Sequence, residues 1–390
     1  MSVFDIVLLV VLAAAAVTGF ARGFVASAGV LAGLIAGGAG ALWAAPAIGR
    51  LIAEPVWRPV AELATWAVLL GVGAALGGAV GMWLRRGVDR TPLRIVDRVA
   101  GGVVSFVVGA LIMSLAATGI VATGIPVVSP AVASSRVVRT IDGLIPAPIQ
   151  QALAQIRGTL AADGLPAVRG LLGPAAPAPA SPVPLNDPHI VAAARSVVRI
   201  TGVAYACGMS QTGSGFAVGA DAVVTNAHVV AGVDAPVVQL PGRAAHQGRV
   251  VYFDPDEDLA VIDVRGLNAT PLRLSGAVTT GAATVVAGYP YGGPLTLGDA
   301  QVLASGSAPV PDIYGRSTQK RAVYALAAQV RPGNSGGPLL TAGGTVGGVV
   351  FARAVDNADR GYAIAGSALA PVVARLGTLT TPVSSGHCVR

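Results

Sequence analysis

The sequence predicts a multi-domain chain in which an N-terminal bundle of four transmembrane α-helices precedes a C-terminal all-β domain. Three observations carry this expectation. Of the 390 residues, 53% are hydrophobic and only 12% charged, with the apolar excess concentrated in the first third. A soluble chain of this length carries about twice that charge. A Pro/Ala-rich stretch at residues 174–184 then separates two kinds of sequence. Past it come short β-branched or apolar runs, such as 213–218 and 223–225, bounded by glycine or turn residues as strands are.

Four apolar segments fill the first third: 3–20, 24–45, 60–84 and 99–125. Each approaches the ~20 residues that cross a bilayer. The first lacks a basic leader and another span follows at once, so it does not read as a cleavable signal peptide. Runs such as Gly71-Val72-Gly73-Ala74-Ala75-Leu76-Gly77-Gly78 put small residues where helices can approach closely. Trp43, Trp57, Trp66 and Trp83 lie near the expected span ends, as interfacial anchors do. Arg22 marks the first link, and Arg85, Arg86, Arg90, Arg94 and Arg98 crowd the third. Positive-inside reasoning places those two links in the cytoplasm and both termini outside it. The formal net charge of +7 is nearly all arginine, with Lys320 the one lysine. No basic stripe carries interleaved aromatics, which argues against a nucleic-acid partner.

Residues 126–186 read as an extracytoplasmic linker, with amphipathic pieces such as 149–156 before the Pro/Ala spacer. Such a spacer is extended and semi-rigid. Exposed linkers are nicked easily, so self-cleavage within residues 126–190 is expected. The two cysteines, Cys207 and Cys388, both fall in the outer domain. In an oxidising compartment such a pair tends to join. A closed loop of that length stabilises by at most about 4–5 kcal/mol in the chain-entropy picture. A redox effect on activity follows as an expectation.

The chemistry sits in three segments. Gly333-Asn334-Ser335-Gly336-Gly337-Pro338 exposes a hydroxyl among glycines, where backbone N–H groups can converge on one point. Thr225-Asn226-Ala227-His228 puts an imidazole just past a strand, and Asp258 precedes the apolar run Leu259-Ala260-Val261-Ile262. The order in the chain is His228, Asp258, Ser335. Gly-x-Ser-x-Gly also fits the elbow of α/β-hydrolases, but there the serine leads into a helix and precedes both partners. Here Gly336-Gly337-Pro338 is a poor helix start and only about 55 residues follow. The order His, Asp, Ser is that of chymotrypsin-like double β-barrels. Asp254, Asp256 and Asp263 compete for the acid's place. Asp258 is preferred for its position at the strand start, with Asp256 as the fallback. His189, His246 and His387 lack such a setting.

These three motifs resemble those of bacterial trypsin-like proteases of the high-temperature-requirement class over roughly residues 190–380. The resemblance implies His228 as general base, Asp258 as the group orienting it, and Ser335 as nucleophile. It also implies an oxyanion hole from the N–H groups of Gly333 and Ser335, and two barrels at roughly 187–275 and 276–390. The pocket walls it implies are Gln329, Val330, Val349, Val350, Phe351 and Tyr362, none acidic, hence an apolar preference. No PDZ domain is expected after residue 390. Phe4-Asp5-Ile6-Val7, Gly19-Phe20-Ala21-Arg22-Gly23-Phe24 and Asp97-Arg98-Val99-Ala100-Gly101-Gly102 resemble the colicin V production family. That domain is expected over residues 1–125. The combination resembles membrane-anchored serine proteases of the actinobacterial acid-resistance type. The function implied is cleavage of envelope or secreted proteins at the cytoplasmic membrane during acid or oxidative stress. Neither metal nor cofactor is expected. The competing reading is a membrane transport or channel-like protein with a regulatory or peptide-binding protease-like domain.

Overall fold

The computed structural model describes residues 3–51, 58–122, 132, 135–158, 165–168, 170–172, 181–204 and 209–389. It divides into two compact units, Met1–Ser114 and Leu115–Arg390.

The first unit is helical. Its elements are α1 (Val3–Arg22), α2 (Phe24–Leu51), α3 (Arg58–Val88) and α4 (Arg94–Ala122), the last running past the unit's boundary. All four are long and apolar enough to cross a membrane. The last expected span reaches Ile125, and residues 123–125 lie outside the described residues, as does Trp57. Helices α2 and α3 meet along glycine. A β-carbon on Gly33 would sit 2.0 Å from the carbonyl oxygen of Gly73, and one on Gly77 would sit 2.2 Å from that of Gly29. Lipid tails are as apolar as leucine, so burial alone does not join two such helices. Close backbone approach through small residues does.

The polar residues of the first and third links come together at one end of this unit. Arg85 donates to the carbonyl oxygens of Ala21 and Arg22, which close α1. Asp97 accepts from the N–H of Val25 at 3.0 Å, at the start of α2, and its other oxygen lies 3.6 Å from Nε of Arg85. A cation thus meets a helix C-terminus and an anion a helix N-terminus, as the helix dipoles favour. This accounts for Asp97 and for Gly23, whose β-carbon would lie 2.0 Å from the Asp97 carboxylate, and it brings the two links together.

Past the end of α4, the second unit holds the helices Arg136–Leu144 and Ala147–Gly158. The first is capped by Ser135, whose Oγ accepts from the N–H of Val138. Residues 173–180 of the Pro/Ala spacer lie outside the described residues. Val183, at the spacer's end, is already buried in the β core.

Among the described residues, two seven-stranded sheets follow. The first has the order β6-β5-β2-β3-β4-β8-β7. It uses β2 (Val197–Ala204), β3 (Met209–Ala217), β4 (Ala222–Thr225), β5 (Val237–Gln239), β6 (Ala245–Gln247), β7 (Arg249–Asp254) and β8 (Leu259–Asp263). The second has the order β1-β13-β12-β9-β10-β11-β14, and β13 also pairs with β14, which closes six of its strands into a ring. Its strands are β1 (Ala167–Val168), β9 (Ala283–Gly288), β10 (Thr296–Pro311), β11 (Thr318–Ala327), β12 (Pro338–Thr341), β13 (Val346–Ala354) and β14 (Arg360–Ala365). The linker contributes β1, paired in parallel with β13. This is the chymotrypsin-like fold the order of the three motifs predicts.

Strand alternation explains the core. In β8, Leu259 and Val261 join one apolar cluster, and Ala260 and Ile262 join another. In β13, Val349 and Phe351 point one way and Val350 the other. The first cluster draws on both sheets, with Val197, Phe216 and Val224 beside Val285, Val323 and Ile364. Strands buried on both faces read as continuous apolar runs, which is why these segments show no alternation in polarity.

Candidate active site

His228 and Asp258 meet because β4 and β8 are neighbours. Their antiparallel register places Thr225 opposite Ala260. The chain leaving β4 therefore passes the chain entering β8. Past Thr225 the backbone enters a short helix, Ala227–Val230, which carries His228. One Asp258 carboxylate holds this residue twice. Oδ1 accepts the backbone N–H of His228 at 3.0 Å, and the ring Nδ1 lies 3.0 Å from Oδ1 and 2.9 Å from Oδ2. Asn226 adds a third tie, its Nδ2 donating to the carbonyl of Asp258 at 2.8 Å. Both members are buried, at 6% and 2% exposure. Asp258 takes a left-handed backbone with φ 56°. Aspartate enters that region more readily than most residues, and such strain concentrates at functional sites.

The competing carboxylates are occupied elsewhere. Asp254 accepts from the N–H groups of Asp256 and Glu257 and from the hydroxyl of Tyr252. Asp256 accepts from Ser317, and Asp263 pairs with Arg249 at 2.8 Å. His189 and His387 are exposed and His246 half-buried.

Ser335 belongs to the second sheet's loop before β12. It is 3% exposed and lies between two glycines of positive φ, Gly333 at 92° and Gly336 at 83°. A β-carbon on Gly336 would lie 2.1 Å from the carbonyl oxygen of Ser214 and 2.2 Å from Oγ1 of Thr225. The serine loop is thus pressed against the end of β4, two residues before the helix bearing His228. Oγ of Ser335 and Nε2 of His228 are both buried, and neither bonds to another protein group among the described residues. The imidazole–carboxylate half of the arrangement is formed and the serine–imidazole hydrogen bond is not. Such bonds tighten when substrate is bound.

The loop's backbone can be accounted for group by group. The N–H of Asn334 donates to the carbonyl of Arg331, that of Gly336 to Val350, and that of Gly337 to Asn334. Across residues 333–337 this leaves two N–H groups without a partner among the described residues, those of Gly333 and Ser335. Two N–H groups beside a nucleophile are what a developing oxyanion needs. The carbonyls face away from them. Pro332 O accepts from Tyr291 N–H at 2.6 Å, and Ser335 O from Ser214 N–H at 2.7 Å. In a trans peptide C=O and N–H point oppositely, so tying back Pro332 O turns Gly333 N–H the other way.

The turn supplying Tyr291, Pro290–Gly292, is itself pinned. Tyr291 sits at φ 55°. Arg199 donates to the carbonyl of Gly292 at 3.0 Å, and the Tyr289 hydroxyl donates to that of Val197 at 3.2 Å. Burial pushes the Tyr289 phenol up and pulls the Arg199 guanidinium down from their ordinary ranges. The linker helix Ala147–Gly158 packs on this turn, with Ala154 buried against Gly293.

Sequence reasoning missed Arg321. It is 2% exposed, on β11, and donates to the carbonyls of Asp256 and Pro311 behind the acidic turn. Burial lowers its pKa, and Asp258 is the strongest of the carboxylates opposing that shift. No local pattern marks it, because Asp256 belongs to the turn between β7 and β8, 65 residues away.

Of the expected pocket residues, Val330, Val349, Val350, Phe351 and Tyr362 are buried. Gln329 is exposed and donates to Asp359 at 2.8 Å. Cys388 is disulfide-bonded, and Cys207 lies outside the described residues. The Cys388 sulfur lies against Gly232, and Gly232 N–H donates to Ser385 O at 3.0 Å. The C-terminal tail therefore packs just past the helix that carries His228.

A chymotrypsin-like fold with this site defines a trypsin-like serine protease, and comparison with known proteins agrees. The trypsin-like peptidase domain family matches residues 213–349, and the colicin V production protein family matches residues 4–146. Serine protease Rv3671c of Mycobacterium tuberculosis is 34% identical over 399 residues, covering 99% of this chain and 98% of that protein. The crystal structure of the Rv3671c protease in its active form superposes with a TM-score of 0.52 at 38% identity, covering 56% of this chain and 99% of that one. The putative serine protease HhoB of Synechocystis is 36% identical over 160 residues, covering 39% of this chain and 37% of that protein. The chain belongs to the Rv3671c family of serine proteases, and in it the match to the colicin V production family precedes the match to the trypsin-like peptidase domain.

Proposed function

We propose that this protein is a multi-pass, membrane-anchored endopeptidase whose protease domain lies outside the cytoplasm and cleaves envelope or secreted proteins. Ser335 attacks the scissile carbonyl, His228 takes its proton through Nε2, and Asp258 holds the Nδ1–H tautomer and stabilises the imidazolium. The N–H groups of Gly333 and Ser335 receive the oxyanion, and the amine leaves with the proton from His228. Water then hydrolyses the acyl-enzyme by the same route. One observation carries the reading: Asp258 grips His228 through ring and backbone, while the serine loop keeps two adjacent N–H groups unpaired beside the nucleophile.

The outward placement rests on the arginines of the first and third links. An apolar pocket goes with this reading, and because Val349, Phe351 and Tyr362 share one cluster and Val330 and Val350 another, only one of these sets lines it. So do a Cys207–Cys388 bridge, self-cleavage within residues 126–190, and a role in acid or oxidative stress. The test is fluorophosphonate labelling of the full-length protein, followed by N-terminomics of secreted proteins from cells carrying wild type or Ser335→Ala. Labelling at Ser335 and cut sites lost in the variant are expected. An unlabelled Ser335 in folded protein, or identical N-termini in both strains, would sink the reading.

A further inference from the structure

Ser214 has no part in the proton transfers above, yet every polar group it owns is committed around the nucleophile's loop. Its side chain is fully buried. Its backbone N–H donates to Ser335 O at 2.7 Å, and its carbonyl accepts from Thr225 Oγ1 at 2.7 Å. Its hydroxyl donates to Gly333 O at 2.6 Å and accepts the N–H of Tyr289 at 2.9 Å. The hydroxyl is therefore a two-sided link between the oxyanion loop and the turn whose Tyr291 N–H holds Pro332 O.

That link acts where the backbone is least decided. Gly333 has φ 92°, and a glycine admits peptide orientations closed to other residues. The Gly333–Asn334 peptide lies between the two peptides that carry the oxyanion donors. Turning it swings both neighbours. A hydroxyl that donates to Gly333 O and accepts from a fixed N–H selects one orientation.

We propose that Ser214 is a positioning residue of the oxyanion hole, its hydroxyl fixing the Gly333–Asn334 peptide so that the N–H groups of Gly333 and Ser335 converge. The proposal rests on the serine protease reading with Ser335 as nucleophile. Without the hydroxyl, Gly333 O and Tyr289 N–H are both buried and unpaired, and buried polar groups seek partners. The loop relieves this by rotating, which misaims the donors. Losing one oxyanion donor outright costs about 10²–10³ in kcat. Misaiming two without removing either is expected to cost about tenfold to a hundredfold.

The experiment compares full-length wild type, Ser214→Ala and Ser335→Ala in detergent. The substrate is a fluorogenic peptide selected from a library by the wild-type enzyme. The inhibitor is the aldehyde of that peptide, whose hemiacetal needs the oxyanion hole, and the cleaved product peptide serves as the non-covalent control. Ser214→Ala should lose about tenfold to a hundredfold in kcat with KM within about threefold, and should lose aldehyde affinity by a similar factor. Product affinity and Tm should stay near wild type. If Ser214→Ala does not fold, Ser214→Cys, with a weaker donor of similar size, is read the same way. A folded variant with wild-type turnover, or one whose turnover falls while aldehyde affinity holds, overturns the proposal. Failure of the underlying reading looks different: wild type itself goes unlabelled and Ser335→Ala changes nothing.

Discussion

Replacing Gly333 with alanine probes the oxyanion donors directly. At φ 92° an L side chain is strained, by about 1–2 kcal/mol. The added β-carbon would lie 2.3 Å from Tyr289 O and 2.8 Å from Tyr291 N. Non-bonded atoms sit comfortably at about 3.5 Å, so the loop must retreat from the Pro290–Gly292 turn by about 1 Å. That movement stretches the bond from Tyr291 N–H to Pro332 O and releases the peptide that aims Gly333 N–H. One oxyanion donor is worth about 2.7–4 kcal/mol, a loss of about 10²–10³ in kcat. The strain is small beside the 5–15 kcal/mol typical of a folded domain, so the variant should fold. Steady-state kinetics on the full-length protein, with a thermal melt alongside, should give the full loss in kcat and a KM within about threefold. A folded Gly333→Ala protein turning over within threefold of wild type would refute both the donor assignment and the geometry behind it.

Asp258→Asn should lower kcat by about 10⁴ through the wrong imidazole tautomer, and retained turnover at neutral pH would remove Asp258 from the mechanism. Gly33→Leu should lower the melting temperature of the full-length protein in detergent, because the Gly73 carbonyl lies where its side chain must start; an unchanged melt would show that α2 and α3 do not pair there. Burial raises the carboxyl pKa of Glu257, against the pull of Arg321 and with further upward pushes from Asp254 and Asp256. The folded state therefore holds the proton more tightly, and the stability this contributes is full below the unfolded pKa near 4.5 and lost as pH rises through the folded value. Glu257→Gln should thus raise Tm at pH 7 and leave it unchanged below about pH 4, and a gain independent of pH would contradict this origin.

Much was legible in the chain because it is written locally. Four apolar runs of membrane length need no tertiary information to be recognised, and Gly333-Asn334-Ser335-Gly336-Gly337-Pro338 reads as a turn from its residue types alone. The order His228, Asp258, Ser335 was enough to exclude the α/β-hydrolase elbow. Asp258 and Asp256 sit in one acidic turn, and only the apolar run that follows Asp258 separates them in the sequence. The register of β4 against β8 brings the last residue of that turn, Asp258, beside His228.

What only the tertiary structure decided are contacts between segments far apart in sequence. Arg321 is separated from Asp256 by 65 residues and Ser214 from Gly333 by 119. An arginine in a strand and a serine between glycines carry no sign of such partners, because hydrogen-bond acceptors on a backbone look alike in every sequence. The same holds for Asp97, whose helix-capping role depends on Val25, 72 residues away. Residue types and their spacing told which groups could do chemistry. The packing of two sheets told which of the loop's other backbone groups are spoken for, and it leaves the N–H groups of Gly333 and Ser335, the pair the motif resemblance implies, without a partner among the described residues.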